Sequence, residues 1–335
     1  MSFRMRYGSA KFKLPALWFG VFFFLWSGVF LQSQTNFIVG IYNVEKYELE
    51  KNEEFANKSR KTVQSICQMN ADVLGLVEMG SLASTAYLLD ELNRCGMDYS
   101  HCEWMPSNDG RLNLVIFSRY PLKEIVYHTR DKYELDERSY SLRRGILEAT
   151  VEVTDDYSFT VLLTHLKSLL ESTKLDQQEV RLEEAKLLRG KVEKILNKDP
   201  EADFVVMGDL NDHYPSLPIR TILGTPAGKK RLLDARPIEQ IGDSLPEERT
   251  RGKFRSVAWT YFYSKEDTYS RLDYILYSPG LKAQFQPEET RVVVVPNWGV
   301  ASDHRPIRAG FTIPVEKRVQ NPKTTVKSSL KPALK

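Results

Sequence analysis

Short apolar runs recur along this chain, and most of them end in a side chain able to do chemistry. Residues 37–42 lead to Asn43, 73–77 to Glu78 and 204–208 to Asp209, while 159–166 carries His165. Apolar runs of about four to eight residues bounded by polar ones read as buried strands. Strand character is also expected at 112–118, 145–153, 257–263, 272–277, 291–295 and 307–313. Between the strands, 58–69 and 84–93 have helical spacing. The clearest helix is 174–196, with Val180, Leu187, Leu188, Val192 and Ile195 on one side. Alternating strands and helices predict an α/β (α+β) protein whose polar strand ends carry the chemistry. No repeat of fixed period and no long linker divides the core, so one domain is expected over 36–315.

The two ends differ from this core. Arg4, Arg6, Lys11 and Lys13 precede an uncharged, Phe-rich stretch at 14–31, the order of a signal peptide or a signal anchor. Leu31 and Ser33 are the best positions for a cleavage site, but Leu31 is bulky for that role. A membrane-spanning helix needs about 20 apolar residues, with a range of about 17 to 25, so retention as an anchor stays open. Either way the bulk of the chain is expected to be exported, as a secreted, periplasmic or membrane-anchored protein. Residues 316–335 are Lys-, Pro- and Ser-rich and read as a basic disordered tail.

The whole chain is +3, yet residues 36–315 hold 37 basic and 43 acidic side chains, net −6. A composition of 42% apolar and 27% charged residues excludes wholesale disorder. With this acidic balance, a basic face of the kind that grips long nucleic acid is not guaranteed. Cys67, Cys95 and Cys102 lack CxxC spacing, which argues against a thiolate zinc site. Either Cys95 and Cys102 close a short loop and Cys67 is a buried thiol, or all three are unpaired.

Six segments in order resemble the endonuclease/exonuclease/phosphatase superfamily. They are Ile41-Tyr42-Asn43-Val44, Leu76-Val77-Glu78, Thr164-His165-Leu166-Lys167-Ser168, Gly208-Asp209-Leu210-Asn211-Asp212, Arg271-Leu272-Asp273-Tyr274-Ile275 and Ser302-Asp303-His304-Arg305-Pro306. Each alone has an ordinary reading as a turn, a cap or a solvated charge. Six in family order outweigh those readings. The resemblance implies a four-layer sandwich, two mixed β-sheets packed face to face with helices outside, and a site along one edge.

It also implies roles. Glu78 would be the principal ligand of Mg2+ or Mn2+, with Asn43 and Asp303 nearby; an oxygen shell suits these hard cations. Asp209 would orient the attacking water or the leaving group, and Asn211 would hydrogen-bond a phosphoryl oxygen. His304, oriented by Asp273, would serve as base or phosphate partner. His165 matches a second histidine found in the deoxyribonuclease, sphingomyelinase and 5-phosphatase branches. The glutamate that pairs with it in the deoxyribonucleases is missing from Asp109-Gly110-Arg111-Leu112-Asn113, so phosphate contact is its expected role. Arg144, or Arg143 in the other register, would face the developing phosphorane charge.

The expected activity is therefore that of a metal-dependent phosphodiesterase, foremost an exported nuclease acting on DNA or RNA. A phosphoesterase for phospholipid head groups or small compounds such as inositol phosphates is the alternative, with membrane contact through 14–31 if that segment is retained. A binding module without catalysis is disfavoured, because a degenerate site would have lost a member of the set. A monomer is expected. Arg249, Arg251, Lys253 and Arg255, followed by Trp259, Tyr261 and Tyr263, interleave cations with aromatics, as a phosphate- and base-gripping stretch does. The simpler reading is a solvated loop entering a strand whose aromatics are core.

Overall fold

In the computed structural model, residues 36–169, 175–239 and 258–313 are described. The apolar stretch 14–31, the 249–255 cations and the basic tail lie outside them. In chain order the elements are β1 (Asn36–Tyr47), α1 (Glu53–Met69), β2 (Val73–Met79), α2 (Leu82–Arg94), β3 (His101–Met105) and β4 (Asn113–Ser118). Then come β5 (Leu122–Tyr127), β6 (Lys132–Leu135), β7 (Arg138–Ser141), β8 (Ile146–Thr154), β9 (Tyr157–His165) and α3 (Gln177–Lys198). The remainder is β10 (Phe204–Asp209), α4 (Leu217–Leu223), β11 (Leu233–Asp234), β12 (Ile238–Glu239), β13 (Tyr261–Tyr263), β14 (Thr268–Ser270), β15 (Asp273–Tyr277), β16 (Phe285–Val292) and β17 (Ile307–Thr312).

Two mixed sheets form the centre. One has seven strands in the order β12-β16-β17-β1-β2-β4-β3, the other six in the order β11-β15-β10-β9-β8-β5. Strand alternation sorts their side chains into three apolar layers. Ile41, Val73 and Ile116 of the first sheet meet Leu163, Val205, Met207 and Ile275 of the second between the sheets. Tyr42, Leu74 and Leu76 point the other way, onto Ile66, Leu88 and Leu92 of α1 and α2. Leu162, Val206 and Tyr274 pack under Leu188 and Val192 of α3 and Ile219 of α4. Helix, sheet, sheet, helix is the four-layer sandwich expected.

Caps set the helix boundaries. Asn52 Oδ1 accepts the Phe55 N–H at 2.7 Å, and Glu53 and Glu54 occupy the first turn, so α1 starts five residues before its apolar spacing shows. Asp176 does the same for α3, accepting from the Gln178 N–H at 2.7 Å. Gly75 lies where the sheets press together: a Cβ there would stand 2.8 Å from Leu163 Cδ1 and 2.8 Å from Met207 Cε.

The cysteine expectation is corrected. Cys67, on α1, is bonded to Cys95, at the C-terminus of α2, and Cys102 is the free thiol. Packing α1 beside α2 on one face of the sheet brings the two sulfurs together, while β3 carries Cys102 away.

Candidate active site

Strand register assembles the site. His165 at the end of β9 stands opposite Asp209 at the end of parallel β10, and Asp209 stands opposite Asp273 on antiparallel β15. These three polar side chains thus form a row across the six-stranded sheet. On the facing sheet, β1 and β2 run parallel, with Asn43 opposite Val77 and Glu78 next in line. The 302–304 turn then closes the gap between the sheets. Ser302 Oγ donates to Asn43 O at 2.7 Å and accepts the His304 N–H at 3.0 Å.

Asp209 is the centre. Its Oδ2 accepts from Asn43 Nδ2 at 3.0 Å and lies 3.5 Å from His165 Nε2 and 3.7 Å from His304 Nε2. Its Oδ1 accepts the Asn211 N–H at 2.9 Å. His304 Nδ1 is 2.7 Å from Asp273 Oδ2, which assigns the proton to Nδ1 and turns Nε2 toward Asp209. Asn43 Nδ2 also reaches Glu78 Oε1 at 3.2 Å, and Asp303 Oδ1 is 3.9 Å from His304 Nε2.

Local backbone serves this arrangement. Gly208 has φ +154°, and a Cβ there would stand 1.8 Å from Thr164 O, so only glycine lets β10 lie this close to β9 immediately before Asp209. Glu78 and Asn211 adopt left-handed backbone, φ 62° and 50°, uncommon for residues with a Cβ and typical of functional positions held by their surroundings. The Glu78 carboxylate is steadied by the Lys46 N–H at 3.2 Å. Thr260 Oγ1 accepts both the Leu272 and Asp273 N–H groups at 3.1 Å, fixing the start of β15.

Burial and charge oppose each other at His304 and Asp209 and act together at His165. Burial disfavours a charged His304, yet the Asp273 and Asp209 carboxylates drive it above the usual histidine value. Burial pushes Asp209 up against the pull of His304. His165 is held well below its usual value by burial, then by Arg144, His304 and Lys167. Asp303 is pushed up to about 6 by burial and by the charges of Glu45 and Glu78, against the pull of His304.

Two expected phosphate contacts are engaged elsewhere. Arg144 is the inward member of its pair, with Arg143 half-exposed, but its Nη1 donates to Leu166 O at 2.7 Å and its Nε lies 3.5 Å from Asp109. Asn211 Nδ2 donates to the same Leu166 carbonyl at 3.0 Å, which leaves its second amide hydrogen. His165 Nδ1 is buried with no hydrogen-bond partner, as expected where a pairing glutamate is missing. Asp109, in that stretch, binds Arg144 instead.

The aromatics before β15 are not core. Trp259, Tyr261 and Tyr263 are partly exposed, and Tyr261 lies 4.8 Å, ring to ring, from His304. Arg305 beneath Trp259, 3.2 Å from its ring centroid, holds this hairpin.

The profile of the endonuclease/exonuclease/phosphatase family matches residues 41–304, from β1 through the His304 turn. The chain belongs to that family. Among solved structures it resembles truncated Caenorhabditis elegans TDP2, with 18% identity, TM-score 0.53, and 83% of this chain and 98% of that one covered. A Staphylococcus aureus beta toxin shares 19% identity at TM-score 0.58, covering 82% and 99%. An Archaeoglobus fulgidus AP endonuclease shares 16% at TM-score 0.57, covering 83% and 100%. At these identities the likeness is one of fold. No curated protein matches the chain. Members of the endonuclease/exonuclease/phosphatase family are phosphoesterase hydrolases and generally depend on a divalent metal.

Two donor sets fit a cation within this family's site. Asp209, Asp273 and His304 bring ligand atoms within 4.8 Å of one another. That trio is already hydrogen-bonded through His304 Nδ1 and Asp273 Oδ2, so a cation there would compete with that bond. Glu78 and Asp303 offer carboxylate oxygens at the rim, and Glu45 adds a third negative charge that, after burial, helps to raise Asp303. Lys58 Nζ, 3.7 Å from Glu45 Oε2, offsets part of this charge, and the oxygen cluster that remains suits a hard divalent ion. Asn43 turns its amide nitrogen, not its oxygen, toward Glu78 and Asp209; its Oδ1 accepts the Glu45 N–H at 2.9 Å. In this orientation its nitrogen braces both carboxylates.

Sequence reasoning passed over Glu45, Thr260 and Glu184, and quoted Asp109 and Lys167 without assigning them. Only Glu45, two residues past Asn43, carried a positional hint.

Proposed function

We propose that this chain is a divalent-metal-dependent phosphodiesterase of nucleic acid, exported from the cell, that directs water onto phosphorus. The observation that carries the reading is Asp209: one buried carboxylate oxygen facing two imidazole Nε2 atoms and an amide, with His304 held from behind by Asp273. A Mg2+ or Mn2+ ion at Glu78 and Asp303 would supply Lewis-acid polarisation of a phosphoryl oxygen.

The chain's own residues do the rest. Asp209 orients a water and accepts its proton as the oxygen bonds to phosphorus. The P–O ester bond breaks, and its electron pair leaves on the ester oxygen, which solvent protonates. His304 presents Nε2, and Asn211 its spare amide hydrogen, to phosphoryl oxygens. His165, kept neutral by its surroundings, contacts the phosphate. Arg144 acts from behind by fixing the Leu166 carbonyl.

Partly exposed Tyr261 beside His304, with Tyr263 next to it, supports a nucleic-acid substrate, since stacking a base on an aromatic ring contributes about 1–3 kcal/mol. Phospholipid head groups are the second reading, favoured by exposed Tyr269 and Val300 near the site and by the apolar 14–31 stretch. The Cys67–Cys95 disulfide supports export in either case. The test is hydrolysis of plasmid DNA, RNA, sphingomyelin and inositol polyphosphates with Mg2+, Mn2+ or EDTA. EDTA-sensitive cutting of nucleic acid supports the proposal. Turnover of lipid alone moves the substrate to the second reading.

A further inference from the structure

A groove of about 670 Å³ opens between α4, β11 and β15, on the outer face of the six-stranded sheet. Five cations line it, Lys229, Arg231, Arg236, Arg271 and Lys282, against the single carboxylate of Asp234. In a domain whose net charge is −6, this concentration makes a local anion-attracting field.

The cations divide into fixed and free. Arg271 stacks on Tyr274, 4.2 Å from the ring centroid, and its Nη2 donates to Asp234 at 2.6 and 2.7 Å, while its Nε is buried with no partner. Arg231 Nη1 donates to Gly224 O at 2.8 Å. Lys229, Arg236 and Lys282 are exposed and form no ion pair among the described residues. Two anchored guanidiniums with three solvent-facing cations around them match a phosphate rather than an apolar ligand.

The groove neighbours the active site through segment 210–214 and strand β15, although none of the site residues lines it. The segment 210–214 carries Asn211 at the site and His213 and Tyr214 on the groove wall, and the Tyr214 N–H donates to Tyr274 OH at 3.1 Å. On β15, Asp273 faces the site, and its neighbour Tyr274 lines the groove on the opposite face. Tyr214, at the crossing, is 56% exposed. A single head group bound at His304 cannot occupy both places, whereas a strand can.

We infer that this groove is a second phosphate subsite, holding the substrate strand one or more nucleotides beyond the scissile bond. This rests on the nucleic-acid reading above and names where that substrate is gripped. The test uses the full chain and a variant with Lys229→Glu, Arg236→Glu and Lys282→Glu. Binding of short and long single-stranded oligonucleotides is read by anisotropy in EDTA across a salt series, and bis(p-nitrophenyl) phosphate turnover is read with Mg2+.

The expected result is an affinity for the long strand weaker by about tenfold or more. The slope of log affinity against log salt should fall by about 2, since each phosphate that the protein no longer neutralises removes about 0.7, with the small diester turned over as before. Unchanged affinity and slope in the variant, with normal strand cleavage, overturn the groove alone. Failure of the unaltered chain to bind or cut any strand, while the small diester is turned over, overturns the nucleic-acid reading itself. Inorganic phosphate that binds at the groove without competing with the long strand marks a free-anion site and also overturns the inference.

Discussion

Asp273 Oδ2 and His304 Nδ1 meet at 2.7 Å although 31 residues separate them in the chain. β15 supplies one and the turn before β17 the other, so this bond joins the six-stranded sheet to the seven-stranded one at the site. It fixes the imidazole tautomer and aims Nε2 at Asp209.

Asp273→Asn keeps the shape and removes the charge. The expected outcome is a fall in kcat of about 10²–10⁴-fold with KM within about threefold, and a lowered unfolding midpoint because His304 loses its buried partner. Steady-state rates on bis(p-nitrophenyl) phosphate check it, and an unaltered kcat would show that His304 does not depend on Asp273.

Glu78→Gln removes the rim carboxylate on which the metal reading turns. The concentration of Mg2+ giving half-maximal rate should rise by about tenfold or more, with calorimetric Mg2+ binding weakened in parallel. Equal metal dependence in the two proteins would shift the ion to the Asp209, Asp273 and His304 trio.

How much of this was legible depended on whether a residue's role is local. Asn43, Glu78, His165 and Asp209 ended buried apolar runs, a pattern visible without coordinates, and the alternation around them implied sheets covered by helices. Helix α3 shows the limit: Arg181 and Glu184 sit on its buried face beside Val180, Ala185 and Leu188, where polarity argues for solvent. Their partners come from elsewhere, Asp212 to Arg181 Nε at 3.2 Å and the Lys167 N–H to Glu184 at 2.7 Å. The cysteines failed for the same reason. Short spacing suggested Cys95 with Cys102, but helix packing decided the pair. The hairpin β6–β7 went unseen because Lys132–Leu135 and Arg138–Ser141 have too few apolar residues to alternate.

Arg181→Ala should destabilise the protein by about 3–5 kcal/mol, because it leaves the Asp212 carboxylate buried without its ion pair. Arg181→Met combined with Asp212→Leu should recover most of that stability. Urea unfolding measures both, and a single-variant cost under about 1 kcal/mol would contradict the assignment.

Non-reducing peptide mapping should recover Cys67 joined to Cys95 and Cys102 alone. Cys102 is exposed, so it should alkylate without unfolding of the protein. Cys67→Ser should cost about 3–4 kcal/mol on the chain-entropy scale for a separation of 28 residues. A Cys95–Cys102 peptide would contradict the pairing.

The central claim is water attack on phosphorus at Asp209, and the most direct measurement is turnover of bis(p-nitrophenyl) phosphate in ¹⁸O-water with Mg2+. The account predicts one ¹⁸O in the phosphate monoester and none in nitrophenol, with turnover abolished by EDTA and reduced by orders of magnitude in Asp209→Asn. Label in nitrophenol, or full activity in Asp209→Asn, would contradict it.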